Sequence, residues 1–149
     1  MPQLSMHSPV GDLTISEEDG VIVSLDWGWS SMQGDSPLLR RARDQLDAYF
    51  DGKLNAFDLP LAPPGTAFQR RVWNAMRRIP TGETRSYGDL AKTLKSAPRA
   101  IGQACGRNPI PIIIPCHRVL GSHGSPGGYS GDGGLDTKRD LLKLEGIRI

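Results

Sequence analysis

Cys116 stands between Pro115 and the pair His117-Arg118, with Val119 behind them, at the end of the apolar run Ile110-Pro111-Ile112-Ile113-Ile114. A cysteine in apolar surroundings is usually an inert core residue. Here prolines fix the backbone and an imidazole follows directly, which is the arrangement of a nucleophile being aimed. Thiolate is the reactive form, and an unperturbed thiol with a pKa of about 8.5 is only a few per cent ionised at neutral pH. His117 can accept that proton directly or through a water, and its own basicity then needs a partner. Glu145 is the candidate: Leu141 and Leu142 precede it in a final helix, so its carboxylate shares their apolar face, where a charge is costly unless paired. The other uses open to Glu145 are capping a loop or meeting Arg148.

Further side chains could serve the same chemistry. Asn108-Pro109 makes a turn before the apolar run, and the Asn108 amide is placed to brace the backbone around Cys116. Gly127-Gly128-Tyr129-Ser130-Gly131 forms a loop with one aromatic and one hydroxyl, of the kind that walls a pocket, but without the spacing of a phosphate-cradling loop. Cys105, one helical turn past Ile101, reads as core. His123, set among glycines, reads as an exposed loop residue, and His7 carries no signal.

The elements that must hold these residues fall into two halves. In the first, Leu13 and Ile15 alternate with polar residues, Asp19-Gly20 offers a hairpin turn, and Val21 to Trp27 returns. A helical period follows from Ser36-Pro37, with Leu39, Ala42, Leu46, Tyr49 and Phe50 on one face and Asp51-Gly52 as its end. Phe57-Asp58-Leu59 is expected to form a further strand. The proline-rich stretch Pro60 to Gly65 marks a boundary, giving an amino-terminal domain over residues 1–62 and a second over 66–149. In the second half Thr66 caps a helix carrying Phe68, Val72, Ala75, Met76 and Ile79, which Pro80-Thr81-Gly82 stops. Ser86 and Asp89 form a short capping box for a helix with Tyr87, Leu90, Ala91 and Leu94 inward. After the turn Lys95-Ser96-Ala97-Pro98 another helix runs from about Arg99 to Gly106. Two short helices joined so tightly read as helix-turn-helix.

The second of these helices has an unusual outer face. Ile101, Ala104 and Cys105 point inward, while Arg99, Gly102, Gln103 and Gly106 share the other side. Two glycines in an exposed helix cost about 1 kcal/mol each relative to alanine. A face stripped of side chains lets a backbone or a nucleic-acid groove approach closely, and Arg99 and Gln103 favour the groove over tight packing inside the protein.

Charge points the same way. The 149 residues carry a net +2, but residues 1–66 hold 4 Lys/Arg against 10 Asp/Glu, and residues 67–108 hold 9 against 2. A positive block beside the candidate nucleophile suits a polyanion, most simply nucleic acid. The chain is long enough for one compact domain or two small ones with a real core. Two cysteines and three histidines, with no Cys-x-x-Cys, give no zinc site, so no metal and no cofactor are expected. Free thiols in a reducing cytosol are the expectation. No signal peptide or membrane span is expected, and the protein reads as soluble and cytoplasmic.

Taken with Asn108-Pro109-Ile110-Pro111 before it and Gly128-Tyr129-Ser130-Gly131 after it, Pro115-Cys116-His117-Arg118-Val119 resembles the O6-alkylguanine-DNA alkyltransferases, the methylated-DNA–protein-cysteine methyltransferases. The resemblance runs from Thr66 to Gly146 and includes Ser86-Tyr87-Gly88-Asp89-Leu90-Ala91 and Arg99-Ala100-Ile101-Gly102. It implies an α+β protein: a small amino-terminal antiparallel sheet plus helix, RNase H-like, packed on a helical carboxy-terminal domain with a winged-helix-like helix-turn-helix.

It also implies a function. Such proteins flip a damaged guanine out of duplex DNA and move its O6-alkyl group onto the cysteine by in-line displacement, once per molecule. By resemblance Cys116 is the acceptor, activated through a water by His117 with Glu145 behind it. Tyr87 donates to the guanine and crowds a phosphate, and Arg99 fills the vacated stack. Val119 and Cys116 offer carbonyls to the base, Ser130 meets its oxygen side, and Pro111 and Tyr129 line the alkyl pocket. Asn108 braces the turn, and Ser86, Gly102 and Gln103 face the DNA. The partner is double-stranded DNA bound in the minor groove with little sequence preference, by a monomer with possible clustering on DNA. Cys105, where the family more often has asparagine or another non-thiol residue, is a departure that raises a second, minor alkylation site. Two rival readings remain: a non-reacting sensor of alkylated DNA, against which Cys116 argues, and a cysteine hydrolase, for which adjacent Cys116 and His117 would need a special turn.

Overall fold

The computed structural model describes residues 2–129, 131 and 133–148, and the chain divides into two compact units, Met1–Pro64 and Gly65–Ile149. The first is built on a three-stranded antiparallel sheet in the order β1-β2-β3, with β1 at Gln3–Met6, β2 at Leu13–Glu18 and β3 at Val21–Trp27. Asp19 and Gly20 both take positive φ, 52° and 81°, as a tight two-residue hairpin turn requires. Leu13, Ile15, Ile22 and Leu25 are buried, with a register shift between Ser16 and Glu17 that lets Ile22 and Leu25, three residues apart, both turn inward. Helix α1, Pro37–Phe50, covers them with Leu39, Ala42, Leu46 and Tyr49. Ser36 caps it by accepting from the Leu39 amide, and Pro37 enters at the first turn, where a missing N–H costs nothing.

The expected strand at Phe57-Asp58-Leu59 is absent. Side chains of α1 take the backbone groups that a strand would pair: the Asp58 amide donates to Gln45 Oε1 at 2.9 Å, and its carbonyl accepts from Gln45 Nε2 at 3.0 Å. Pairing begins only at Leu61, as an isolated parallel bridge to Ile22, because Pro60 has no N–H to donate.

The second unit is helical. Helices α2 (Ala67–Arg77) and α3 (Tyr87–Leu94) each open with a full capping box, Thr66 with Gln69 and Ser86 with Asp89. Lys95 ends α3 in the left-handed conformation, and α4 (Pro98–Gly106) follows at once to complete the helix-turn-helix. The last helix, α5, spans Leu135–Leu144. Trp73, Met76, Ile101, Ile110, Ile112, Ile114, Leu141 and Leu142 are buried, and the Trp73 indole donates to the Ala104 carbonyl at 2.9 Å.

Two short parallel strands, β4 (Arg85–Ser86) and β5 (Val119–Leu120), pair Arg85 with Val119 and Ser86 with Leu120. That pairing sets the start of α3, and hence Tyr87, beside the segment that carries Cys116. The apolar run before Cys116 is coiled rather than extended: the Ile114 amide reaches the Ile110 carbonyl at 2.9 Å. Ile112 sits at φ 74°, a costly conformation for a β-branched side chain that complete burial holds in place. Among the described residues no helix is long and apolar enough to cross a membrane.

Candidate active site

Cys116, His117 and Arg118 form a single 3-10 turn between Pro115 and β5. This is the special turn that adjacent Cys and His need, because successive side chains on it diverge by about a third of a turn rather than to opposite faces. The turn is anchored from both sides. Asn108 donates through Nδ2 to the Ile114 carbonyl at 2.9 Å and accepts the Ile110 amide at 3.0 Å, while the Cys116 amide also donates to Ile114 at 2.8 Å.

Behind the thiol lies a buried ionic network. His117 Nε2 and Glu145 Oε2 are 2.7 Å apart, and the Glu145 side chain is 1 % exposed. Arg118 clamps the same carboxylate, Nε to Oε1 at 2.8 Å and an outer nitrogen to Oε2 at 3.1 Å, and donates to the Ile79 carbonyl and Thr81 hydroxyl at 2.7 and 3.0 Å. So bidentate a pairing keeps the carboxylate ionised. Glu145 can then only accept, and the His117 proton belongs on Nε2. His117 Nδ1 is buried without a hydrogen bond, a lone pair held ready for a proton. Glu145 is thus partnered by Arg118 as well as His117, and it sits at the C-cap of α5 rather than within it.

Burial governs the protonation states. It pushes the Cys116 thiol up, opposed by the Asn108 hydrogen bond and the charge of Lys138, so the resting sulfur is a thiol. It pushes His117 down from the ordinary 6.5, opposed by Glu145, so the imidazole is neutral at neutral pH. In the unfolded chain His117 takes up a proton below about 6.5 that the folded chain refuses. The unfolded state then binds more protons, and the His117 contribution makes folding stability fall as pH drops from 7 through 6.5. Urea denaturation at pH 7.5 and 5.5 checks the sign, and His117→Gln is expected to flatten this limb.

A cavity of about 470 Å³ opens on Cys116, lined by Tyr87, Gly102, Cys105, Gly106, Gly128 and Tyr129. Tyr87, at the start of α3, has its hydroxyl pushed up by burial, so it remains a proton donor. Gly127 lies so close to the Tyr87 ring that an added Cβ would stand 2.9 Å from it. Gly102 and Gly106 prove to wall this cavity, and Gln103 faces a second groove with Thr66, Gln69 and Arg107. Arg99 is exposed on α4. Pro111 and Val119 are buried and are not among the residues lining the cavity. Cys105 is buried as expected and also lines this cavity. Ser130 lies outside the described residues.

Sequence reasoning missed Lys138. Its side chain is fully buried, donating to the Val119 carbonyl at 2.7 Å and the Gly128 carbonyl at 3.0 Å, with Nζ 5.9 Å from the centre of the Tyr87 ring. It ties β5 to the pocket loop, and burial pushes its ammonium down from the ordinary lysine value, opposed by the nearby thiols Cys116 and Cys105. The signal was present: Lys138, Leu141, Leu142 and Glu145 recur at helical spacing, the pattern that singled out Glu145.

A helix-turn-helix beside a walled cavity, with a buried thiol backed by an imidazole and a carboxylate, defines a nucleic-acid-binding protein with a nucleophilic cysteine. The comparisons agree. Residues 67–147 match the 6-O-methylguanine DNA methyltransferase DNA binding domain, and residues 4–63 match the ribonuclease-like domain of the same family. The methylated-DNA–protein-cysteine methyltransferase of Methanosarcina barkeri is 45% identical over 150 residues, covering 94% of each chain. That of Methanosarcina acetivorans is 57% identical over 111 residues, 73% of this chain and 70% of its own. The crystal structure of Mycobacterium tuberculosis OGT in complex with DNA superposes with a TM-score of 0.88 at 44% identity, covering 97% of this chain and 92% of that one. The chain belongs to the 6-O-methylguanine DNA methyltransferase family, and its fold is the family's α+β pairing of a ribonuclease-like and a DNA-binding domain.

Proposed function

We propose that this chain repairs alkylated DNA directly, moving the alkyl group of O6-alkylguanine, chiefly methyl, onto Cys116. The observation that carries this reading is the Cys116 thiol at the wall of a base-sized cavity, with the His117–Glu145–Arg118 network behind it. Cys116 yields its proton towards the free Nδ1 of His117 through a water, and Glu145 and Arg118 steady the charged ring. The thiolate attacks the O6-bound carbon in line; the S–C bond forms as the C–O6 bond breaks, and the electron pair moves onto the guanine. Tyr87 supplies a proton to the leaving base, so the proton lost from the thiol is balanced by the one gained by guanine. The product thioether does not hydrolyse, and each molecule reacts once, without cofactor or metal.

Duplex DNA is engaged through the minor groove by α4, with Gln103 and Ser86 at the contact and little sequence preference, and Ser130 meets the oxygen side of the base. The guanine is extruded into the cavity at a cost of a few kcal/mol, and Arg99 takes its place in the stack. Tyr129, at the wall of the cavity, bounds the base and its alkyl group. DNA binding and the acceptor chemistry belong to the domain at residues 66–149, distinct from the amino-terminal domain at residues 1–62. The protein acts in the cytoplasm as a monomer that can cluster on DNA.

The test is a titration of a lesion-bearing duplex against a fixed amount of protein. Repaired lesion rises to one per chain and stops; continued turnover contradicts the proposal. Arg99→Ala is expected to slow repair of duplex DNA by roughly 10-fold or more, the scale of losing about 1.4 kcal/mol of extrusion support. Its thiol should react normally with a small alkylating reagent. Unchanged duplex kinetics would remove Arg99 from the extrusion step.

A further inference from the structure

Lys138 is a fully buried side chain that the transfer chemistry does not use. Its ammonium carries three N–H donors, and it reaches the Val119 carbonyl on β5 at 2.7 Å and the Gly128 carbonyl in the pocket loop at 3.0 Å. The same nitrogen stands 5.9 Å from the centre of the Tyr87 ring, at the outer reach of a cation–π contact. Gly127 presses on that ring from the loop side, where an added Cβ would stand 2.9 Å from Cε2. Tyr87, Gly128 and Tyr129 all line the cavity that opens on Cys116. Burying an ammonium is costly, and an apolar side chain of the same length would fill the space without that cost. What the ammonium adds is a donor between two carbonyls, which cannot bond to each other. Lys138 and Glu145 lie two turns apart along α5: Glu145 steadies the imidazole behind the thiol, and Lys138 steadies the wall of the cavity before it.

We propose that Lys138 is a positioning residue of the acceptor site: its ammonium staples the pocket loop, through Gly128, to the strand that follows the Cys116 turn and against the Tyr87 ring, and so governs how a base is seated rather than how the sulfur reacts. The consequence for transfer rests on the alkyl-transfer reading; the staple itself does not. Without the tie, Gly128 and Tyr129 swing away from the cavity. The extruded base then spends less time in reacting geometry, and transfer slows although the thiol and the His117–Glu145–Arg118 network are intact. Arg99 acts one step earlier, on extrusion, so its loss affects duplex DNA. Loss of Lys138 slows transfer from duplex and from single-stranded DNA alike, because the base must be seated in either case.

The test compares the full-length parent with Lys138→Met, which keeps a long unbranched side chain and removes the charge and the donors. Single-turnover transfer is measured at saturating concentrations of a duplex and of a single strand, each carrying one O6-methylguanine. Both limiting rates are expected to fall by about 10- to 100-fold, within what a displacement of about 1 Å costs a positioned reaction. DNA affinity is expected to hold, because phosphate contacts set it, and Cys116 labelling by iodoacetamide is expected to be no slower than in the parent. Hydrogen–deuterium exchange of residues 121–129 is expected to quicken, with residues 110–118 unaltered. Thermal melting confirms that the variant is folded; Lys138→Gln, uncharged and shorter, takes its place with the same expectations if Lys138→Met does not fold. Transfer at the parent's rate, a loss confined to the duplex, a parallel fall in Cys116 labelling, or unaltered exchange of the loop overturns the proposal. If the parent itself takes up no alkyl group, the alkyl-transfer reading fails, and the exchange of the loop alone decides whether Lys138 holds it.

Discussion

Cys116→Ala is expected to abolish alkyl transfer from a duplex carrying O6-methylguanine while leaving affinity for that duplex within about threefold of the parent, because phosphate contacts dominate DNA affinity and Cys116 is buried away from them. The loss is expected to be complete, or nearly so, because the other thiol at the cavity is poorly ionised. Cys105 shares the cavity, but its thiol is pushed up to about 12 and is almost wholly protonated at neutral pH. Single-turnover transfer and fluorescence-anisotropy binding measured on one preparation separate the two quantities. Residual transfer by Cys116→Ala would name Cys105 as an acceptor, and a parallel loss of binding would mean that the thiol holds the site together rather than reacting.

Glu145→Gln is expected to produce the next largest effect, on rate and on stability. The amide keeps the size of the carboxylate but removes the charge that Arg118 and His117 share. Breaking a buried pair by neutralising one partner costs about 3–5 kcal/mol, a large part of the roughly 5–15 kcal/mol that holds a small protein folded. Without the carboxylate the protonated form of His117 loses its stabilising partner, and transfer slows by about 100-fold or more, the scale of general-base assistance. DNA affinity of the folded variant changes far less. Stopped-flow transfer at saturating DNA, with a urea midpoint, measures both effects; equal losses in transfer and in binding would reduce Glu145 to a purely structural role.

Much of this site was legible in the sequence because the relevant signals are local. Ser36, Thr66 and Ser86 announce helix starts through hydrogen bonds that span three residues, and Asp19-Gly20 specifies its own turn. The Pro-Cys-His-Arg-Val segment sets the proposed nucleophile and its proposed base in adjacent positions. What escaped depends on contacts made across the chain. Phe57 to Leu59 has a strand's composition, yet Gln45 on α1 takes the Asp58 backbone groups. Strand β1 is short and carries Ser5, whose hydroxyl is buried against Thr14 at 2.8 Å, so its alternation is masked by a polar pair. Arg118 and Lys138 look like surface charges until the fold sets Glu145 against one and two carbonyls against the other. Cys105 reads as core because the helical period reports that a side chain faces inward, not that a cavity lies there.

The most direct test of the central claim is intact-protein mass after incubation with a duplex containing one O6-methylguanine, followed by peptide mapping. The account predicts a single added methyl group, on Cys116, at no more than one per chain. An unmodified mass despite tight binding would make the protein a sensor of damage rather than an acceptor, and a methyl group on any other residue would contradict the assignment of Cys116.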